Sequence, residues 1–215
     1  INASVEVIYN PDTSTEARFD IYESDGWARD FDVVIHDECS ANVSEQPYVD
    51  RILKAHSNGV PAVNLHCAMH SYGWGNFQEP VEDGADNSGW YEMIGLQSSR
   101  HGPQSPIDVT YSDHVIAKGL SSWKTMNEEL YNNVRVYDSA NVVASGRQMQ
   151  MPRRKKNKPI DPDAKPTEAE AVVAWTNEFG PKKTRIFSTS LGHNNDTVGD
   201  DRYLMLICRG LLWST

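Results

Sequence analysis

The fold of this chain is constrained most by a strand–helix–strand segment in its first third. Two apolar runs, "FDVVIHD" (31–37) and "PAVNLHC" (61–67), flank a stretch with apolar residues at helical spacing. Ser44 is the expected N-cap of that helix, Pro47 falls in its first turn, and Gly59 ends it. Both strands are apolar throughout rather than alternating. The segment therefore predicts a parallel sheet that is covered on both faces.

The rest of the chain is richer in strands. We expect strands at 5–9, 107–112, 133–138, 141–147, 171–179 and 184–192. Gly-Pro-Lys-Lys joins the last two and predicts a hairpin, and a largely buried helix (202–214) closes the chain. A loop at about 150–169, rich in Pro, Lys and Asp, is the best candidate for disorder. With no linker visible, residues 1–215 are predicted to form a single domain.

Composition excludes several classes of partner. The net charge of -10 argues against nucleic acid and against an anionic membrane surface, and the basic run at 153–159 is expected to be an exposed turn. No stretch approaches a membrane span and no signal peptide is visible, so the compartment stays open. The three cysteines, Cys39, Cys67 and Cys208, are widely spaced, which is not typical of a disulfide framework. We expect them to be free thiols.

Polar residues collect where predicted strands end. His36 and Asp37 end one strand, His66 and Cys67 the next, and His193 and Asn194 follow a third. In open α/β sheets the ligand crevice lies at the carboxyl ends of the strands, so we expect a shared pocket there. Two further segments could complete it: a Gly/Pro-rich loop at 98–106 with Arg100 and His101, and "MNEELYNN" (126–133) with Glu128, Glu129 and Tyr131. The second could equally be a solvated acidic turn.

The stretch that follows the second strand leaves alternatives open. Neighbouring strand residues point to opposite faces, so His66 and Cys67 are not both expected to face the site. His70 shares a face with His66 only if a helix begins at once. Trp74 could stack on a bound ligand or simply pack against the fold.

Six motifs occur in this order along the chain: "VVIHD", "VNLHCAMH", "IGLQSSRHGP", "NEELYNNV", "VVAWTNEFG" and "RIFSTSLGHNN". As an ordered set they resemble the trehalose-utilisation (ThuA-like) family. The resemblance covers about residues 31–213 and implies a fold similar to class I glutamine amidotransferases. That fold is a flavodoxin-like three-layer α/β sandwich, with a mostly parallel sheet and added antiparallel strands.

The resemblance also implies a role in carbohydrate metabolism, on an oxidised (keto) sugar or its glycosides. The family positions it marks are His66, His101, Glu129 with Tyr131, and His193 after Gly192. Because the resemblance places His66 in the site, Cys67 is expected to point into packing, where a free Cys is usually inert. Glu128 stands where many members have Asp, which leaves an acid in place with a longer reach.

These observations lead to one main hypothesis: hydrolysis, elimination or isomerisation of a sugar by acid/base or metal-assisted chemistry. The predicted catalytic residues are His66, Glu129 and His193, and the predicted substrate-binding residues are His36, Asp37, His70, Trp74, Arg100, Tyr131 and Asn194. His66, His101 and His193 could supply three nitrogens to one divalent metal, with zinc favoured, while no nucleotide cofactor is expected. The expected partner is a small-molecule sugar, and a homo-oligomer stays open. The alternatives are a non-catalytic sugar-binding module and a Cys-dependent hydrolase of the amidotransferase type.

Overall fold

The computed structural model describes residues 3–151, 163 and 165–215. In chain order the strands are β1 (Val34–His36), β2 (Ala62–Leu65), β3 (Leu96–Gln97), β4 (His101–Tyr111), β5 (Trp123–Tyr131), β6 (Arg135–Val136), β7 (Asn141–Gln150), β8 (Thr167–Phe179) and β9 (Thr184–Thr189). The α-helices are α1 (Gln46–Ser57), α2 (Gly89–Ile94), α3 (Asn195–Val198) and α4 (Asp201–Ser214). Short 3₁₀ helices form at Asp20–Glu23, His66–His70 and Val115–Ala117.

Seven strands form one mixed sheet in the order β1-β2-β9-β8-β7-β4-β5, and β3 pairs with β6 separately. β1 with β2 and β2 with β9 are parallel, whereas pairing from β9 to β5 is antiparallel. The predicted α/β fold with added antiparallel strands is confirmed. Antiparallel pairing extends further than expected because short connections, such as the predicted β8–β9 hairpin, allow only that direction.

Helices cover both faces of the sheet and make three layers. The side chains of Ala62 and Ile186 pack in a core with α1 and α2, while Val63 and Phe187 pack in a second core with α4. Alternate residues of β2 and β9 thus enter different cores, which explains why these strands are apolar throughout. Gly210 allows α4 to approach β9, because a Cβ there would lie 2.3 Å from the Phe187 ring.

Helices α1 and α4 differ in detail from their predicted forms. α1 begins at Gln46 with Glu45, not Ser44, at the N-cap, and Pro47 lies in its first turn as predicted. α4 buries only one face, so the expectation of a largely buried helix is wrong: Leu204 and Leu212 are exposed. Within the described ranges, no helix has the length and apolar character needed to cross a membrane.

Two predicted boundaries are wrong for identifiable reasons. Residues 5–9 form no strand and expose Val7 and Tyr9, since a β-type run needs a neighbouring strand to pair with. The predicted loop at 98–106 is partly strand, because β4 already begins at His101. Its two prolines fall at register shifts against β5, where a missing N–H is tolerated.

Two other predictions are only partly testable or partly met. Of the predicted strand at 133–138, only Arg135–Val136 pairs, as β6. The predicted disordered loop at about 150–169 falls largely outside the described residues, and Thr167 onward belongs to β8.

Candidate functional site

His66 lies at the carboxyl end of β2, in the centre of the site. It begins the 3₁₀ helix at a φ of 29°, a left-handed conformation that is uncommon for a residue other than glycine. Its side chain is buried, and Nδ1 donates a hydrogen bond to the backbone oxygen of Ser190 at 2.8 Å. This bond fixes the tautomer of the neutral ring, so Nε2 carries the lone pair.

His193 reaches the same point from the neighbouring strand. β9 is parallel to β2, and the chain leaves it through Gly192, whose φ of 117° is disfavoured for side chains other than glycine. The His193 Nδ1 atom then lies 3.2 Å from Nε2 of His66. On the other edge of the ring, Nε2 lies 2.7 Å from the side-chain nitrogen of Gln104.

Strand β5 contributes the acid and the phenol. Glu129 and Tyr131 are two residues apart and share one face of the strand. The Glu129 Oε2 atom lies 3.3 Å from Nδ1 of His193 and 3.8 Å from Nε2 of His66, and the Tyr131 hydroxyl lies 3.3 Å from the same Nε2. Antiparallel pairing sets Gln104 opposite Glu129 and His101 opposite Tyr131, which brings β4 into the site.

Three of these residues could hold a metal ion. One ligand atom each from His66, Glu129 and His193 lies within 4.8 Å of the other two. The predicted set named His101 as the third ligand; in the structure His101 Nδ1 lies 3.4 Å from Oε1 of Glu129, whereas His66 and His193 contact Oε2. Glu129, predicted as a proton carrier or metal ligand, supplies the third ligand atom of this group.

Burial decides the charge state of the surrounding groups. It lowers the pKa of His66, and it lowers that of His70 to about 4, with His101 and His66 adding to the effect. Burial also raises the pKa of the Tyr131 hydroxyl, and the nearby Cys67 adds to this rise. Near neutral pH the imidazoles of His66 and His70 are therefore neutral and the phenol of Tyr131 is protonated. The neutral imidazoles keep a nitrogen lone pair for a metal or a proton.

Other predicted residues lie around this centre. The ring of His70 stacks on the Tyr131 ring with centroids 4.3 Å apart, and its Nε2 atom contacts the Ser98 hydroxyl. His70 therefore packs against the phenol. The Asn194 side chain donates to the backbone oxygen of Asn127. Arg100 is exposed at the start of β4. Asp37 is exposed overall, but the surrounding protein partly desolvates its carboxyl, and this, together with the charge of Glu38, raises its pKa to about 6.

His36, predicted to bind substrate, lies in a different place. It is fully buried, with Nδ1 2.9 Å from Oε1 of Glu38 and Nε2 2.9 Å from Nε2 of His56. The His56 Nδ1 atom donates to the backbone oxygen of Val60, so His56 accepts at Nε2 and His36 carries both of its protons. His36 thus forms a buried ion pair with Glu38.

Trp74, also predicted to bind substrate, is not brought to the His66 centre. It is half-buried against the core that contains α1 and α2. With Leu53 and Gly89 it lines a separate cavity, and its backbone oxygen accepts a hydrogen bond from Asn87.

Sequence reasoning missed two parts of the site. Gln104 was placed in a loop, and only its pairing opposite Glu129 reveals it. Cys67 was expected to pack inertly, yet it is half-exposed, and its thiol lies within hydrogen-bonding reach of Cys39. This contact lowers the pKa of Cys39 to about 7 and raises that of Cys67. The available signal was that both cysteines lie close to the ends of predicted strands, at residues 37 and 67.

Solved structures similar to this one share the fold at low sequence identity. A ThuA-like protein from Bacteroides uniformis aligns with a TM-score of 0.61 at 16% identity, over 91% of this chain and 74% of its own. One from Parabacteroides merdae aligns with a TM-score of 0.58 at 17% identity, over 87% and 71%. A cytoplasmic protein from Salmonella typhimurium aligns with a TM-score of 0.53 at 11% identity, over 93% and 77%.

Sequence comparison points to the same family. No curated protein matches the chain. The sequence profile of the ThuA family, described as trehalose utilisation, matches residues 13–214. Since this match spans nearly the whole length, the resemblance seen in the motifs is confirmed, and the chain belongs to the ThuA trehalose-utilisation family.

Proposed function

We propose that this protein is a sugar-active enzyme in which His66, Glu129 and His193 hold one zinc ion and move protons at the reacting carbon–oxygen bond. The observation that carries the proposal is the convergence of one atom from each residue: the three separations are 3.2, 3.3 and 3.8 Å. These residues come from three separate strand ends or strands, β2, β5 and β9.

The separations fit tetrahedral zinc. Zinc–nitrogen and zinc–oxygen bonds of about 2.0–2.2 Å at tetrahedral angles keep neighbouring ligand atoms roughly 3.3–3.5 Å apart. Two of the three observed separations lie within about 0.1 Å of that range, and the third exceeds it by about 0.3 Å. Two nitrogens and a carboxylate also match the His₂Glu set of catalytic zinc sites, which leaves a fourth position open.

Surrounding groups would hold the ligands in place. The bond from His66 Nδ1 to Ser190 aims Nε2 into the site, as outer hydrogen bonds do for metal-binding histidines. When bound, the metal would polarise a sugar carbonyl or lower the pKa of a water molecule. Tyr131 would orient a substrate oxygen, and Gln104 would hold His193 through its side-chain amide.

The substrate class follows from the family and from the lining of the site. Members of the family are linked to trehalose utilisation, which supports a sugar or a keto-sugar glycoside as substrate. Carboxylate, amide and phenol groups around the centre are suited to hydrogen-bond several hydroxyl groups at once. Asp37 and Asn194 would contribute to this binding from the ends of their strands.

Elemental analysis tests the metal. Protein purified without chelator is expected to contain near-stoichiometric zinc, which falls in His66→Ala, His193→Ala and Glu129→Gln. His101→Ala is the matched comparison and should retain more zinc than the three ligand variants, because His101 contacts Oε1 of Glu129 and supplies no atom to the group. Loss of zinc in His101→Ala with retention in Glu129→Gln would favour the three-histidine set instead. Absence of metal after supplementation would leave the same residues as proton carriers alone.

Turnover tests the reaction. The chain is incubated with a panel of keto sugars and glycosides, and products are identified by mass spectrometry. Conversion that disappears in both His66→Ala and His193→Ala, with folding intact by circular dichroism, is the expected result. Full turnover in both variants would refute the assignment. Calorimetric binding without conversion across the panel would favour a non-catalytic sugar-binding module.

A further inference from the structure

Cys39 and Cys67 occupy equivalent positions after two neighbouring strands. In the parallel pair of β1 and β2, His36 is opposite Asn64, and each cysteine follows three residues later. β1 ends at His36 and β2 at Leu65, so both cysteines lie just beyond the paired residues, on segments that leave the sheet from strands about 4.8 Å apart. The register of the sheet thus brings together two cysteines that are far apart in sequence.

Hydrogen bonds tie the two segments together beyond the strands. The backbone N–H of Tyr72 donates to the oxygen of Ser40 at 3.1 Å, and the N–H of Ser40 donates to the hydroxyl of Ser71 at 2.9 Å. The same hydroxyl donates to the oxygen of Glu38 at 2.8 Å. These bonds lie on both sides of Cys39 and hold its segment against residues 71 and 72, which follow Cys67. The two thiols lie within hydrogen-bonding reach of each other.

We propose that Cys39 and Cys67 form a dithiol modification site, which a low-molecular-weight disulfide of the glutathione class converts into an intramolecular disulfide. Cys39 is exposed and Cys67 is half-buried, so Cys39 reacts first. Its sulfur attacks the small disulfide, forms a mixed disulfide and releases one small thiol. The Cys67 sulfur then attacks the Cys39 sulfur and releases the second small thiol. Two protein thiols are oxidised, and one small disulfide is reduced to two thiols.

The site adjoins the candidate metal ligands. Cys67 directly follows His66, whose backbone already holds a φ of 29°. A bond between the two sulfurs would therefore link the end of β1 covalently to the turn that carries His66. The inference itself concerns only the sulfur chemistry and does not depend on the proposed enzymatic activity.

The third cysteine provides an internal control. Cys208 is exposed on α4, on a different element from the other two. With oxidised glutathione it can form only a mixed disulfide, whereas the pair can resolve to an internal bond.

The test uses the native full chain, oxidised glutathione, rapid alkylation and peptide mapping without reduction. The expected product links the Cys39 and Cys67 peptides, with a mass loss of two hydrogens and with glutathione, if any, on Cys208. Cys67→Ser should stop at a stable glutathione adduct on Cys39, and Cys39→Ser should slow the reaction of Cys67 at least tenfold. Two results, obtained while Cys208 reacts, would overturn the proposal. In one, Cys39 and Cys67 are both recovered as alkylated thiols; in the other, each carries its own stable glutathione adduct.

Discussion

The carboxylate of Glu128 accepts a hydrogen bond from the backbone N–H of His193 at 3.1 Å. It accepts a second bond from the N–H of Asn194, also at 3.1 Å, and the side chain is fully buried. An acid on β5 thus fixes the turn that leads out of β9. Glu128 therefore acts on the site by placing His193, whereas its neighbour Glu129 contributes an atom to the site directly.

Replacing Glu128 by Gln should loosen His193. An amide offers one acceptor oxygen where the carboxylate offers two, so one buried N–H loses its partner at a cost of about 1–3 kcal/mol. Metal affinity should fall about 10–100-fold, as it does when outer partners of metal ligands are removed. Urea unfolding and a zinc titration measure the two effects. Glu170→Gln, in an exposed pair with Arg147, is the matched control and should change neither. Unchanged zinc affinity in Glu128→Gln would contradict the positioning role.

Gly192→Ala should be costly for two separate reasons. The φ of 117° is disfavoured for alanine, and the new Cβ would lie 2.7 Å from the hydroxyl of Tyr203. Gly119→Ala isolates the backbone contribution, because Gly119 also has a positive φ, of 78°, but has open space around its Cβ position. Thermal melts should show a loss of about 1–2 kcal/mol for Gly119→Ala and a clearly larger loss for Gly192→Ala. Equal losses would mean that the contact with Tyr203 is easily relieved.

Glu38→Gln should be strongly destabilising. It leaves the protonated His36 buried without its counter-charge, and breaking a buried ion pair from one side costs about 3–5 kcal/mol. Glu170→Gln removes an exposed charge and should cost less than about 1 kcal/mol. Equilibrium urea unfolding at neutral pH compares the two variants. Similar small losses in the two variants would contradict a stabilising contribution from the buried Glu38 carboxylate.

The same buried cluster predicts loss of stability in acid. Burial alone would raise the pKa of Glu38, but the charge and hydrogen bond of His36 lower it to about 2. Burial and the neighbouring His36 lower the pKa of His56 to about 3. Both folded-state pKa values lie below the unfolded values of about 4.3 for Glu and 6.5 for His. The two groups therefore contribute fully to the free energy of unfolding above pH ~6.5, and this contribution declines toward pH ~3. Urea midpoints measured across this range should fall steadily in the wild type.

Tyr131→Phe should separate chemistry from folding. Phenylalanine keeps the stack on His70 but removes the hydroxyl that lies 3.3 Å from Nε2 of His66. Turnover of the sugar substrate should fall at least tenfold, with KM and melting temperature changed much less. Tyr9→Phe, at an exposed position, is the control and should leave turnover unchanged. Wild-type turnover in Tyr131→Phe would show that the hydroxyl takes no part in the reaction.

Local sequence patterns were sufficient for most of the strands and for α1. The apolar runs that became β2 and β9 are recognisable because both faces of these strands are buried. The strand predicted at residues 5–9 is absent, because strand formation depends on a pairing partner that local composition cannot reveal. β4 was found only in part, because proline normally signals a loop and only its bulged pairing with β5 accommodates it.

The polar strand ends drew attention to His66 and His193 from sequence alone, because such residues are unusual where apolar runs stop, whereas Glu129 was singled out by an acidic segment and by the family resemblance. Only the tertiary structure decided which polar residues meet. Parallel pairing of β2 with β9 joins two histidines that are 127 residues apart, and pairing of β4 with β5 adds Gln104. By contrast, His36 ends its strand in the same way but is buried against Glu38. Strand and helix formation follow largely from neighbouring residues, whereas a site is a set of distances that strand order and register impose between distant ones.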